Sequence, residues 1–358
     1  MLRLFSPPHL QEAASLLAQA NSALSGLVFA TSGTTGAPKW ILHAEEGLDW
    51  CARTVNAHFA CSSRDVWGLA LPEFHVGGYC LTHRARLAGG RLARFPHKWQ
   101  PEAFLHFLQQ EKVTVTSLVP TQVHDLAQAS LTAPPELRLA LIGGEALEPA
   151  LAQQARELGW PLIASYGMTE TAGLIAAGTR DDDTLRPLPG WQLASDADKR
   201  LTITGPGLFT GYLTENGLQP REDPFPTQDR VDLSPEKITL LGRSDDQLKI
   251  LGELVDLARL RREFAALASP LPATVIALPH PRRGHQLLPV LEAPAVPDGL
   301  ATAFQTWNAG LPGFSRCQPP IACTPWPRTP VGKTDRQSLI RLLTDQSGNC
   351  DADRPGNS

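Results

Sequence analysis

Two clusters of residues in this chain of 358 carry side chains suited to chemistry on a phosphate. The first is Thr31-Ser32-Gly33-Thr34-Thr35-Gly36-Ala37-Pro38-Lys39. Its glycines let backbone approach an anion, its hydroxyls can donate to phosphate oxygens, and Lys39 adds a positive charge. The pattern GxxxxGK[ST] is absent, because Ala37-Pro38-Lys39 follows Gly36 and Trp40 follows Lys39, which disfavours a P-loop nucleotidase. The second cluster, Tyr166-Gly167-Met168-Thr169-Glu170-Thr171, comes directly after the apolar stretch Pro161 to Ser165. A tyrosine offers a flat face to a purine, a threonine hydroxyl can donate to phosphate, and a glutamate can hold the Mg²⁺ that accompanies ATP. Each cluster also has a plain reading: a hydroxyl-rich surface turn for the first, and a helix start with Thr169 as its cap for the second.

These side chains need a scaffold, and the apolar periodicity predicts one. Gly26 to Thr31 reads as a buried strand feeding the glycine-rich turn. Runs at Val66 to Leu71, Val113 to Val119 and Leu137 to Ile142 alternate with helical patterns at 101–111 and 149–158. That alternation predicts an α/β sheet, whose strand ends are where ligands collect. After Thr204 the texture turns to short strand-like pieces, which predicts a smaller β subdomain. A polar turn, Gly242 to Asp246, separates it from a compact remainder with helices near 256–267 and 300–310 and strands at 273–279 and 287–291. The expected organisation is therefore a large domain over 1–242, a small α+β domain over 243–344, and a disordered tail over 345–358.

Composition narrows the class of function. A formal charge of -4 with no long basic run argues against nucleic acid or an anionic membrane as partner. The proline-broken start lacks the apolar core of a signal peptide and no stretch is apolar enough to span a bilayer, so the expected location is cytoplasmic. Six cysteines without a CxxC pair read as reduced thiols rather than as a zinc or disulfide framework.

TSGTTGAPK, YGMTET, the aspartate of FPTQD, GRSDDQLKILGELVDL and PRTPVGKTDR occur in the order found in the acyl-adenylate-forming superfamily of acyl-CoA synthetases, luciferases and nonribosomal-peptide adenylation domains. The chain resembles that superfamily over about residues 26 to 342. Within it, segments 70–90, 117–122, 141–159 and 224–233 are most similar to the o-succinylbenzoate-CoA ligase family of menaquinone and phylloquinone biosynthesis. The resemblance implies an enzyme that uses ATP, Mg²⁺ and coenzyme A to convert 2-succinylbenzoate to its CoA thioester through an acyl-adenylate, releasing AMP and diphosphate. Alternatives are an adenylation enzyme for another aryl acid or for a carrier protein, and a non-catalytic adenylate-binding paralogue. Retention of both Lys39 and Lys333 argues against the last of these. Oligomeric state is left open, with a homo-oligomer among the expectations.

Carried over by the resemblance, Tyr166 beside Gly167 stacks on adenine, Thr169 touches the α-phosphate and Glu170 binds Mg²⁺. Asp229 accepts from both ribose hydroxyls, with Arg243 beside it. Thr31 to Gly36, Gly144 and Glu145 line the nucleotide. Lys333 supplies an ammonium against the negative charge that builds on phosphorus oxygens during adenylation. Asp245 is the implied pivot between two orientations of the small domain, and Lys249 to Gly252 line the thioester-forming site. Around the acyl group the expectations are His75, room beside Gly77 and Gly78, substrate passing close to the backbone of Gly143 and Gly144, and Arg84 pairing with a second carboxylate. Asp229 as a turn cap, Arg243 as a solvated charge, a static linker at Asp245 and His75 as a satisfied core histidine are the corresponding bland readings. The chain departs from the family in two ways. The glycine-rich loop starts at residue 31, which implies a shortened N-terminal subdomain, and TQD stands where many relatives have TGD.

Overall fold

The computed structural model describes residues 1–32, 38–234, 236–329, 332 and 334–348. The fold is α/β, and the chain divides into two compact units. The larger comprises Met1–Thr227 with Val231–Leu240, and the smaller comprises Gln228–Arg230 with the chain from Leu241 onward. Among the described residues no helix is long and apolar enough to cross a membrane.

The larger unit is built around a sheet whose order is Arg186–Pro187, Gly173–Ala177, Leu162–Met168, Leu139–Ile142, Val115–Leu118, Val66–Leu69, Arg91–Arg94. The last five are mutually parallel. The strands Val115–Leu118 and Leu139–Ile142 are buried at every position, as a parallel sheet covered on both faces requires. Alternate side chains feed two cores. Leu139 and Leu141 join Trp67, Leu81 and Ile163 on one face, while Ala140 and Ile142 join Phe104, Leu108 and Trp160 on the other. The helices Pro101–Glu111, Pro120–Gln128 and Pro149–Glu157 each begin with proline, at the position where its missing N–H has no helical partner to lose. The strands at 66–69, 115–118 and 139–142 are shorter than the apolar runs that contain them, because periodicity fixes where strands lie better than where ladders end.

A second sheet pairs Leu2–Phe5, Gly26–Ser32, Pro38–His43, Gly211–Thr214 and Gly217–Pro220 in that order. The strand expected at 26–31 extends to Ser32, and the chain returns antiparallel, pairing Thr31 with Lys39 and Ser32 with Pro38. A third sheet joins Gln192–Ser195, Arg200–Thr204, Phe225–Ser234 and Lys237–Arg243 in that order, so two of its strands lie ahead of the region after Thr204 where short strands were expected.

In the smaller unit, the hairpin Gln247–Ile250 with Glu253–Asp256 turns through Leu251 and Gly252, both at positive φ. The helix Leu257–Ala268, the strands Ala273–His280, Gly284–Leu291 and Ile321–Ala322, and the helix Asp298–Ala309 follow. Phe264, Val275, Leu287 and Phe304 form their common core. The last helix, Arg336–Gly348, corrects the tail expected from Asp345, since it runs four residues into that segment. Its apolar residues Leu339 and Leu343 are buried against Ile276, Leu278 and Trp326.

The starts of three parallel strands are tied together by one carboxylate. Asp65, 5% exposed, accepts from Arg138 Nε and Nη2, both at 2.9 Å, from Thr114 Oγ1 at 2.8 Å and from the Ser62 N–H at 2.8 Å. Burial alone would raise its pKa, but these donors outweigh it and hold the carboxyl below its ordinary 3.8. A depressed pKa means stability that is present above 3.8 and lost as the pH falls through the folded value. Arg138→Met should therefore cost about 2–3 kcal/mol at pH 7. The deficit, read from urea unfolding, should shrink below pH 3.8 as Asp65 protonates.

Candidate active site

With their starts clamped, the parallel strands present their C-terminal ends on one edge, and three of those ends carry candidate residues. The strand Val66–Leu69 leads to His75, Leu139–Ile142 to Gly143, Gly144 and Glu145, and Leu162–Met168 to Thr169 and Glu170. In an open α/β sheet this is the edge where ligands bind.

Tyr166 is 8% exposed, packed in the first core at a bulge in its strand. Gly167 faces Gly173, and a Cβ there would lie 1.8 Å from the Gly173 carbonyl oxygen, so the backbone approach admits no side chain. Thr169–Thr171 then form a 3₁₀ turn closed by Ala172 at φ 53°. The wholly buried Thr171 is the clamp: its Oγ1 accepts from the Met168 N–H at 3.0 Å and lies 2.7 Å from the Gly173 carbonyl oxygen. The local capping role therefore belongs to Thr171 and not to Thr169.

This turn is held from the neighbouring sheet by residues that no sequence motif singles out. His43, 0% exposed at the end of the strand Pro38–His43, lies with Nε2 2.7 Å from the Thr169 carbonyl oxygen. Burial lowers its pKa to about 4, against the opposing effect of that bond. The ring is therefore neutral at pH 7, and because a carbonyl only accepts, Nε2 carries the proton. The Phe209 N–H donates to the Glu170 carbonyl at 2.8 Å. Tyr212 Oη donates to Glu170 Oε1 at 3.2 Å, and Lys39 Nζ lies 5.6 Å from the centre of the Tyr212 ring. Burial, then the Glu170 carboxylate, raise the Tyr212 pKa and keep it a donor. The signal available in the sequence was slight: one polar residue closing the apolar run Trp40 to Leu42, and a tyrosine between two glycine-bounded turns.

Thr31 and Lys39 lie opposite each other in the hairpin, whereas Gly33, Thr34, Thr35 and Gly36 lie outside the described residues, as does the side chain of Ser32. Among the described residues no three or more His, Cys, Asp or Glu side chains cluster as a cation cage. A lone glutamate fits Mg²⁺ that arrives with nucleotide phosphates, since that ion is usually held by one or two carboxylates and its own waters.

Around the acyl expectations the picture changes. The room expected beside Gly78 is taken by the protein: a Cβ there would lie 2.3 Å from the Pro72 carbonyl oxygen and 2.7 Å from that of Leu71. Gly77 is exposed and its Cβ would meet only Leu71, at 3.6 Å. His75 is half-buried, precedes the helix Val76–Ala88 and stacks obliquely on Phe74, with ring centres 4.6 Å apart. Arg84, on that helix, is 5% exposed, its Nε makes no hydrogen bond among the described residues, and its Nη2 lies 3.4 Å from where a Gly173 Cβ would be. It is a buried cation beside the Thr169–Thr171 turn.

In the smaller unit Arg243 joins two of the candidates. It donates to Asp245 through Nε and Nη2 at 2.8 and 2.9 Å, and to Asp229 Oδ1 through Nη1 at 3.3 Å. The Asp245 pairing raises the Arg243 pKa and outweighs the partial burial, which lowers it. Ser244 Oγ lies within hydrogen-bond reach of both the Gln228 carbonyl, 3.0 Å, and its Oε1, 2.7 Å, so the Gly242–Asp246 turn is tied down rather than loose. Lys249 and Gly252 are exposed on the hairpin. Lys333 lies outside the described residues.

The AMP-binding enzyme family matches residues 22–213. A 2-succinylbenzoate–CoA ligase of Escherichia coli is 30% identical over 270 residues, 73% of this chain and 57% of that protein. Naringenin synthase of Pestalotiopsis fici is 29% identical over 340 residues, 86% of this chain and 12% of that protein. A variant of E. coli MenE solved with bound OSB-AMS superimposes with a TM-score of 0.75 at 26% identity, covering 89% of this chain and 69% of that one. The chain thus spans little more than half the length of the E. coli ligase and about an eighth of the synthase.

His43 yields a stability prediction. The unfolded chain takes up a proton at this residue near pH 6.5 but the folded protein only near 4, so stability falls as pH drops through that window and levels off below it. The full effect is about 3 kcal/mol. Urea unfolding between pH 7 and 4 should show a markedly flatter profile for His43→Gln than for the wild-type chain.

Proposed function

Because this chain belongs to the AMP-binding enzyme family, we propose that it is an AMP-forming acid–thiol ligase that activates 2-succinylbenzoate with ATP and passes the acyl group to coenzyme A. The observation that carries this reading is the shared strand-end edge, on which Tyr166, Thr169 and Glu170 stand with Gly143 to Glu145, and against which Tyr212 and Lys39 are set. The likeness to a ligase named for 2-succinylbenzoate supports the choice of acid.

In the first half-reaction a carboxylate oxygen of the acid attacks the α-phosphorus of ATP. The bond from that phosphorus to the bridging oxygen breaks and diphosphate leaves. Tyr166 stacks on the adenine, Gly144 and Glu145 line the nucleotide, Gly143 lets the acid pass close to backbone, Thr169 donates to an α-phosphate oxygen, and Lys39 and the hydroxyl-and-glycine segment take the diphosphate. Glu170 would hold Mg²⁺, which would supply positive charge to offset the negative charge of the phosphates. In the smaller unit Asp229, with Arg243 beside it, accepts from the ribose hydroxyls, and Lys333 supplies the ammonium that offsets equatorial negative charge. In the second half-reaction the CoA sulfur attacks the acyl carbon, AMP departs and the thiol proton passes to solvent. Lys249 to Gly252 line that step, and Asp245 is its pivot. His75 bounds the acyl pocket, and Arg84, a buried cation, suits the second carboxylate of a dicarboxylic acid.

The test is ATP–diphosphate exchange across a panel of aryl and aliphatic acids, followed by mass detection of the CoA thioester. Exchange should depend on 2-succinylbenzoate, and Lys333→Ala should lower it by about 10²- to 10³-fold while nucleotide binding persists. Better exchange with benzoate or a fatty acid would refute the assignment of substrate. Exchange without a CoA thioester would redirect the reading to a carrier-protein acceptor.

A further inference from the structure

The His43 bond reaches further than stability. A trans peptide is planar, with its carbonyl and the next N–H pointing in opposite directions. The Thr169 carbonyl receives two donors, His43 Nε2–H at 2.7 Å and the Ala172 N–H at 3.1 Å. Only the first comes from outside the turn. Holding that oxygen toward the buried histidine directs the Glu170 N–H the other way, away from the core. On the far side of Glu170 the Phe209 N–H fixes its carbonyl and Tyr212 Oη its carboxylate. Both partners are on or beside the strand Gly211–Thr214, which pairs with Pro38–His43, Gly211 opposite Leu42 and Tyr212 opposite Ile41. The Thr210 N–H completes the join at the Leu42 carbonyl, 2.7 Å away.

We propose that His43 is a positioning residue for adenylation: by donating to the Thr169 carbonyl it sets the 169–170 peptide plane, and so the direction in which Thr169 and Glu170 meet the α-phosphate and its Mg²⁺. This rests on the ligase reading above. The strand that follows the glycine-rich segment and the strand-end turn are thereby one mechanical unit, and His43 is the side chain that couples them. Nδ1, buried and without a hydrogen-bond partner among the described residues, adds nothing to packing that a phenyl ring lacks, so the donor at Nε2 can be removed alone.

Two variants separate coupling from packing. His43→Phe keeps a ring and loses the donor, while His43→Gln places an amide N–H at similar reach. In ATP–diphosphate exchange, His43→Phe should lower kcat roughly tenfold and raise the Mg²⁺ concentration for half-maximal rate, with KM for the acid little changed, and His43→Gln should recover most of the loss. Without any ligand, amide exchange followed by mass spectrometry should be faster across Met168 to Gly173 in His43→Phe than in the wild-type or His43→Gln proteins, with Val115–Leu118 unaffected. Normal kcat and Mg²⁺ dependence in folded His43→Phe, a loss in His43→Gln as large as in His43→Phe, or unaltered exchange over Met168 to Gly173 would each overturn the proposal. If the wild-type protein activates no acid at all, the ligase reading fails, and the amide-exchange comparison still decides whether His43 holds the turn.

Discussion

A parallel sheet can offer a row of strand ends to a ligand only if the opposite row is fixed, and here a single buried carboxylate ties three of the strand starts together. Asp65 gathers Arg138, Thr114 and the Ser62 amide at the starts of three strands. Each of those donors stands immediately before, or a few residues from, a strand first residue: Val66, Val115 and Leu139. Removing a charge-assisted donor from a group this buried leaves an unmet acceptor, which is why the cluster sets register as well as stability. The loops at the other ends can then carry polar, glycine-rich sequence without unravelling the sheet. Gly167 shows how tight that arrangement is, because its neighbour's carbonyl sits where a methyl group would go.

Much of this architecture was legible in the residues. Apolar runs located the central strands, and helical periodicity placed helices over 101–111 and 149–158, because hydrophobic periodicity is a local fact. Sequence order also placed Tyr166 to Glu170 at a strand end. The return of the chain at Pro38–His43 was not foreseen, since a glycine-rich turn after a strand reads equally well before a helix or a second strand. Asp345 to Gly348, expected to be disordered, close the last helix instead, because Leu339 and Leu343 behind them find a core that polar composition does not reveal. Gly78 was misjudged for a related reason: a glycine in sequence shows that space is needed and not what fills it, and here the filler is the Leu71–Pro72 backbone.

His43 and Tyr212 were out of reach for a deeper reason. They lie 126 and 42 residues from the atoms they hold, so their contribution exists only in the tertiary pairing of two sheets. Residues that touch a ligand tend to lie in compact local patterns, because a loop delivers several groups at once. Residues that orient those groups can come from anywhere in the chain, and a wholly buried histidine looks like any other core position until its partner is known.

The smaller unit poses the same question of orientation in ionic form. Arg243 is bound more closely to Asp245 than to Asp229, at 2.8 and 2.9 Å against 3.3 Å. The two-point fork fixes the plane of the guanidinium, and the longer contact leaves it beside Asp229 as a weaker partner. A residue proposed as a pivot is thus clamped to a residue proposed to attend the ribose. Any rotation of the backbone at Asp245 must either break a charge-assisted fork or carry Arg243 with it, and the second is cheaper because both residues belong to one short turn. Gln228 adds a further tether through Ser244. The side chains that steady Asp229 therefore have to answer to movement at Asp245, which would couple the proposed ribose contact to the turn itself.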